Sequence, residues 1–166
     1  MNRFDDQRAW FCERVNENSV GLYWLAKSIL HNDEDVKDAV QEAVLTAYEK
    51  LDTLRDEHSF KPWIMRILAN TAYSMIRRSK PNTDIDSWAE ELPAPQNEDR
   101  EESMALWQAV RGLGESLRTV TVLFYYDDMP IKDISRALGI TEGTVKARLS
   151  RARAKLRIAM SEQEET

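Results

Sequence analysis

The residues with the plainest chemistry are bases. From Thr141 to Arg157 the chain sets Lys146, Arg148, Arg151, Arg153, Lys155 and Arg157 against a single acid, Glu142. Guanidinium and ammonium groups gathered on one short stretch are donors for phosphate oxygens, and an Arg fork also fits the edge of a base. The same stretch carries Val145, Leu149, Ala152 and Leu156 at spacings of four, three and four, which predicts a helix with one apolar and one basic face. Upstream, Ile131, Ile134 and Leu138 make the apolar face of a shorter helix. Gly139 stops that helix where a positive φ is easiest, and Thr141 is a good N-cap for the basic one. Two helices joined this way form a helix-turn-helix, and its basic second helix suits a DNA major groove. An ordinary amphipathic helix with a solvated basic face is the plainer alternative.

A second set of bases lies between Lys61 and Lys80, here with aromatics among them. Phe60, Lys61, Pro62 and Trp63 open a predicted helix, with Pro62 near the first helical position, where a missing N–H costs little. Trp63, Ile64, Ile67, Leu68, Ala72, Met75 and Ile76 form its stripe, while Arg66, Asn70, Thr71, Ser74, Arg77, Arg78 and Lys80 fall largely elsewhere. Such a mixture can bind single-stranded DNA, because bases stack on aromatic faces while the backbone follows the positive charge. The aromatics serve equally as core, Trp63 in particular. Just before this helix, Asp33 to about Leu51 repeats Val36, Ala39, Val40, Ala43, Val44 and Ala47 as a buried stripe. Its other face shows Asp35, Asp38, Gln41, Glu42, Thr46 and Glu49, either a solvated face or an acidic docking strip for a basic partner helix.

The elements that must hold these residues are helices. Only five Gly and five Pro in 166 residues, with 31% charged, favour an all-α protein. A short helix from Asp5 to Asn16 and a second one carrying Leu22, Leu25, Ala26, Ile29 and Leu30 come first. Later, Met104, Trp107, Val110, Leu113 and Leu117, then Val120, Leu123 and Phe124, lead to a turn at Asp127, Asp128, Met129 and Pro130. Between the two groups, Ser79 to about Asp99 has prolines, many acids and no sustained period, the marks of a flexible acidic linker. Trp88 is its exception, free to pack on either side or on a partner. The expected organisation is two small helical domains, residues 1–80 and 101–166, joined by residues 81–100. A net charge of -6 hides the asymmetry that matters: acids collect in Asp33 to Glu57 and Asp84 to Glu102, bases in Lys61 to Lys80 and Lys146 to Arg157.

Other chemistries find no support. The lone Cys12 excludes an internal disulfide and is predicted to be a small buried hydrophobe. His31 and His58 have no nucleophile or carboxylate context and are expected at the surface. Without a phosphate-binding glycine loop, an H-E-x-x-H pair or clustered ligands, no enzyme activity, cofactor or metal site is expected. The N-terminus is interrupted by charges and no stretch is long and apolar enough for a membrane span, so a soluble cytoplasmic protein with no membrane insertion is expected.

In order and in type, these motifs resemble the sigma-70 family, specifically the extracytoplasmic-function type with only the second and fourth sigma domains. The resemblance runs from about Leu22 to Leu156. In the first domain it rests on Asp33, Glu34, Asp38, Val40, Gln41 and Glu42, then Phe60, Trp63, Ile67, Asn70, Arg77 and Arg78. In the second it rests on Leu123, Tyr125, Ile134, Ala137, Leu138, Gly139, Gly143, Thr144, Val145, Lys146, Arg148, Arg151, Ala152, Arg153 and Leu156. It implies a sigma domain 2 helical bundle and a sigma domain 4 helix-turn-helix that bind core RNA polymerase and promoter DNA. Asp38, Gln41 and Glu42, with Asp35, would dock on the clamp-helix coiled coil of the polymerase largest subunit. Phe60, Trp63, Arg66, Asn70, Thr71, Tyr73, Arg77 and Arg78 would engage the minus-ten element and a base extruded from the non-template single strand. Thr144, Lys146, Ala147, Ser150 and Arg151 would lie at the minus-thirty-five duplex, with Arg148 and Arg153 on phosphates or structural acids. Control by an anti-sigma factor and a role in stress response are implied as well. Two positions depart from the family: Ser74 stands where an acid is usual, and Arg118 where a proline is common. The alternative function is a stand-alone helix-turn-helix regulator with Leu22 to Lys80 as a sensory or dimerisation domain.

Overall fold

The computed structural model describes residues 3–79 and 100–164, and no strand occurs among them. The first group of helices is α1 (Arg3–Glu17), α2 (Ser19–Ile29), α3 (Asp33–Glu49) and α4 (Phe60–Arg78). The second is α5 (Arg100–Arg111), α6 (Glu115–Thr121), α7 (Ile131–Leu138) and α8 (Glu142–Glu164). The segment read as a linker, and Trp88 within it, lie outside the described residues.

Local chemistry accounts for the boundaries. Asn32 caps α3, its side-chain oxygen accepting the Glu34 N–H at 2.8 Å, and Asp33, Glu34 and Asp35 follow in the first turn, where the helix dipole favours acids. Buried Lys27 donates to Asp33 at 2.6 Å and so fastens the end of α2 to the start of α3. Between α3 and α4 the polar stretch makes two short 3-10 turns, Leu51–Thr53 and Glu57–Ser59, the second capped by Asp56. Gly112 and Gly114 flank the break between α5 and α6. Arg118 sits inside α6.

After α6 the helix widens into a π turn, Val122–Tyr126, with the Asp127 N–H on the Val122 carbonyl at 3.2 Å. The extra residue in that turn sends adjacent aromatics to opposite sides: Tyr126 turns inward and Tyr125 stays 48% exposed. Asp128 takes a left-handed φ of 53°, which Asp tolerates better than most residues, and Pro130 leads into α7.

The two groups of helices pack against each other. One apolar core runs through both, with Leu22, Leu25 and Ile29 of α2 and Ile64, Met65 and Leu68 of α4 joined to Val120, Leu123, Met129, Ile134 and Ala137. A second cluster sets Trp24 of α2 against Trp107 and Tyr126, with ring centroids 4.9 and 5.2 Å away. Each fully buried aliphatic or aromatic side chain contributes roughly 1.5–3 kcal/mol, so this junction adds materially to the stability of both groups.

Three residues differ from expectation. Cys12 is exposed, because its neighbour Phe11 takes the inward position on α1. Ile76 is 37% exposed, as the last turn of α4 runs past the core. His31 is half-buried, and burial, then the nearby Arg118 and Lys27, draws its imidazole pKa below the ordinary value.

Candidate nucleic-acid interface

The basic helix is built as its spacing requires. Gly139 ends α7 at φ 68°, in the left-handed region, and the Thr141 hydroxyl accepts the Thr144 N–H at 3.1 Å. Val145, Leu149 and Ala152 are buried, and Leu156 is half-buried. At 3.6 residues per turn, Ala147, Ser150, Arg151 and Ala154 then fall near the middle of the opposite face. Lys146, Arg153 and Arg157 flank that face on one side, Arg148 and Lys155 on the other. Small residues in the middle let a helix approach base edges, while bases on both flanks meet the two phosphate backbones of a major groove. Lys146, Ala147, Ser150, Arg151 and Arg153 are exposed; Thr144 and Arg148 are half-buried. Arg153 donates to the Tyr125 hydroxyl at 3.0 Å, so the π turn steadies one flank.

On α4 the predicted residues divide. Arg66, Asn70, Arg77 and Arg78 are exposed, whereas Trp63, Thr71 and Tyr73 are half-buried. Phe60 is only 2% exposed, held edge-on by Trp10 at 5.6 Å and Phe11 at 5.9 Å, and its ring is 5.7 Å from Trp63. It is a core residue here, because it opens α4 under α1. Trp63 is half-buried and packs against the core. Thr71 donates to the Ile67 carbonyl of its own helix. Burial, and then Glu115 beside it, pushes the Tyr73 phenol pKa up, so it is a neutral donor at any working pH. Arg78 donates to the Ser74 hydroxyl at 3.2 Å.

Asp35, Asp38, Gln41 and Glu42 all lie exposed on α3. Sequence reasoning missed Leu45, which is 66% exposed one turn beyond Gln41 and Glu42 and gives the strip an apolar end. The available signal was its absence from the buried stripe. Tyr48 follows, 45% exposed, with its ring edge-on to Phe11. Among the described residues there is no group of three or more potential metal ligands, and no helix is long and apolar enough to cross a membrane.

A single chain thus carries a basic helix with small residues in the middle of its outer face, an aromatic and basic helix, and an exposed acidic strip, a set of parts that suits a bipartite DNA-binding protein. Comparison with known proteins agrees in both halves. Residues 15–81 match the family model for sigma-70 region 2, and residues 103–156 match that for sigma-70 region 4. The chain is 27% identical to the RNA polymerase sigma factor SigV of Bacillus subtilis, covering 99% of each. It is 30% identical to the ECF RNA polymerase sigma factor SigW of the same organism, covering 92% of this chain and 89% of SigW. Among solved structures it is similar to CnrH in complex with the cytosolic domain of CnrY, with a TM-score of 0.67, 26% identity and coverage of 93% of this chain and 89% of that one. The chain belongs to the extracytoplasmic-function sigma factors of the sigma-70 family. The region 2 match covers the first half, to which a stand-alone regulator would give a sensory or dimerisation role.

Proposed function

We propose that this sigma factor acts in the cytoplasm by docking on core RNA polymerase through α3 and reading promoter DNA with α4 and α8. Residues 1–80 then form the polymerase and minus-ten unit, residues 101–166 the minus-thirty-five unit, and residues 81–100 the connection between them. Asp35, Asp38, Gln41 and Glu42, with Leu45 at the end of the strip, meet a basic partner helix; the apolar residue anchors and the acids set orientation. Arg66, Asn70, Thr71, Tyr73, Arg77 and Arg78, with the exposed part of Trp63, hold the non-template strand of the minus-ten element. Extruding a base costs a few kcal/mol, which stacking and backbone contacts along α4 offset. Phe60 supports Trp63 from the core and does not itself touch DNA. Thr144, Lys146, Ala147, Ser150 and Arg151 face the minus-thirty-five duplex, and Arg148 and Arg153 take its phosphates.

The protein supplies promoter choice and helps melting; the chemistry of RNA synthesis belongs to the polymerase, and no cofactor is needed. Control by an anti-sigma factor is supported by likeness to CnrH, whose structure is a complex with the cytosolic domain of CnrY. The observation that carries the reading is the three surfaces on one chain, each with the charge its target requires. The test is a pull-down of the purified chain with core polymerase, followed by run-off transcription on fragmented genomic DNA. Discrete new transcripts are expected. Specific duplex retention without polymerase binding would overturn the reading in favour of a stand-alone regulator.

A further inference from the structure

The π turn after α6 holds Tyr125 at the surface and fixes it there. Its side chain is 48% exposed, although Phe124 and Tyr126 on either side are half-buried. Two contacts orient it. The Phe124 ring meets it edge-on, with centroids 4.9 Å apart and planes at 84°, and its hydroxyl accepts from Nη1 of Arg153 on α8 at 3.0 Å. The phenol is thereby aimed at the side of α8 that carries the exposed Lys146, Arg153 and Arg157, the flank assigned above to a phosphate backbone.

The chemistry of the pair decides what it can hold. A tie made only to fasten α8 would be strongest with a carboxylate opposite the guanidinium. Arg153 makes no ion pair among the described residues, so the neutral phenol steadies its fork without cancelling its charge. A phenol has an O–H to donate as well as lone pairs to accept with. The Arg153 N–H occupies a lone pair, and no described residue accepts the phenol proton. Arg153 in turn spends one N–H on Tyr125 and keeps the rest of its fork. Two surface donors, one charged and one neutral, therefore stand side by side. The ligand that suits them is an anion with two acceptor oxygens on one centre, as in a phosphodiester.

We propose that Tyr125 and Arg153 form a phosphate clamp on the minus-thirty-five duplex, the phenol O–H and a guanidinium N–H donating to the non-bridging oxygens of one phosphodiester. This rests on the reading of α8 given above. The extra residue of the π turn is what supplies the second donor, because it carries Tyr125 outward beside α8 while Tyr126 turns into the core. Since the phenol is neutral, it adds affinity without releasing a further counterion, and it acts on every sequence alike.

The test is fluorescence anisotropy with the full chain across a salt series, on the minus-thirty-five duplex and a scrambled one. Tyr125→Phe keeps the ring and removes only the hydroxyl. It is expected to weaken both duplexes about fivefold at every salt concentration, leaving the slope of log affinity against log salt unchanged. Arg153→Ala is expected to flatten that slope by about 0.9. Target duplexes that each carry one uncharged methylphosphonate in place of a phosphate then locate the clamp: at one and the same position both variants should lose their penalty. Affinity of Tyr125→Phe equal to the parent's would overturn the clamp. So would a flattened slope, which would make Tyr125 a strut for Arg153 alone, or a loss that persists at every methylphosphonate position. A parent chain that binds neither duplex would instead remove the reading of α8 underneath, and the clamp with it.

Discussion

Two bases on α8 are expected to do different work, and replacing each by alanine separates base reading from phosphate binding. Arg151 lies near the middle of the outward face beside Ala147, Ser150 and Ala154, while Lys155 lies on its flank. Both are exposed and neither is bonded to another described residue, so truncation is expected to leave stability within about 0.5 kcal/mol. If the flanking bases Lys146, Arg148, Arg153, Lys155 and Arg157 each neutralise a phosphate, log affinity should fall against log salt with a slope of about −4.5, each contributing about −0.9. Doubling the salt then weakens binding about twentyfold. Lys155→Ala should flatten the slope by about 0.9 on target and scrambled duplexes alike. Arg151→Ala should cost roughly 1–3 kcal/mol, or roughly 5- to 150-fold, on the target duplex and much less on the scrambled one. Fluorescence anisotropy across a salt series reads both, using a minus-thirty-five duplex taken from the run-off transcripts. Equal weakening of target and scrambled duplexes by Arg151→Ala would make it a phosphate contact and refute the orientation argued for α8.

Three further outcomes are expected. Gln41→Ala with Glu42→Ala should weaken retention of core polymerase while leaving stability within about 0.5 kcal/mol per site, since both side chains are exposed; a pull-down beside a thermal melt checks this. Thr141→Ala removes the cap on the Thr144 N–H and should cost about 1 kcal/mol, seen as a fall in Tm of about 2–4 °C. His31 has its folded pKa below its unfolded one, so the stability it contributes above about pH 6.5 is lost as pH falls through that folded value, and His31→Gln should flatten the acid-side slope of urea midpoints.

Legibility followed how local the cause was. The turn at Gly139, the cap at Thr141 and the inner face of Val145, Leu149 and Ala152 were readable because each depends on residues within a turn or two. The exposed strip on α3 was readable for the same reason. Burial imposed from across the fold was not. Met65 lies outside the expected stripe of α4 and is fully buried, because it packs on α2 at Gly21. Arg118 was noted only as an unusual residue; its partner Ser28 lies ninety positions away, a separation at which no periodicity signals contact. Phe60 could be read from the sequence as core or as a base-stacking ring, and the position of α1 makes it core. Helix type and capping are properties of short stretches, whereas the meeting of the two units is a property of the whole chain.

The aromatic cluster at that meeting has an optical consequence. Trp24 comes from the first group of helices, Trp107 and Tyr126 from the second, and the two indoles are 4.9 Å apart at an interplanar angle of 67°. Chromophores that close and that tilted couple through their strong far-ultraviolet transition and give a paired circular-dichroism band that an isolated indole lacks. The protein therefore carries its own gauge of separation between its halves, readable without a label, and one that reports movement by losing a signal when the indoles part.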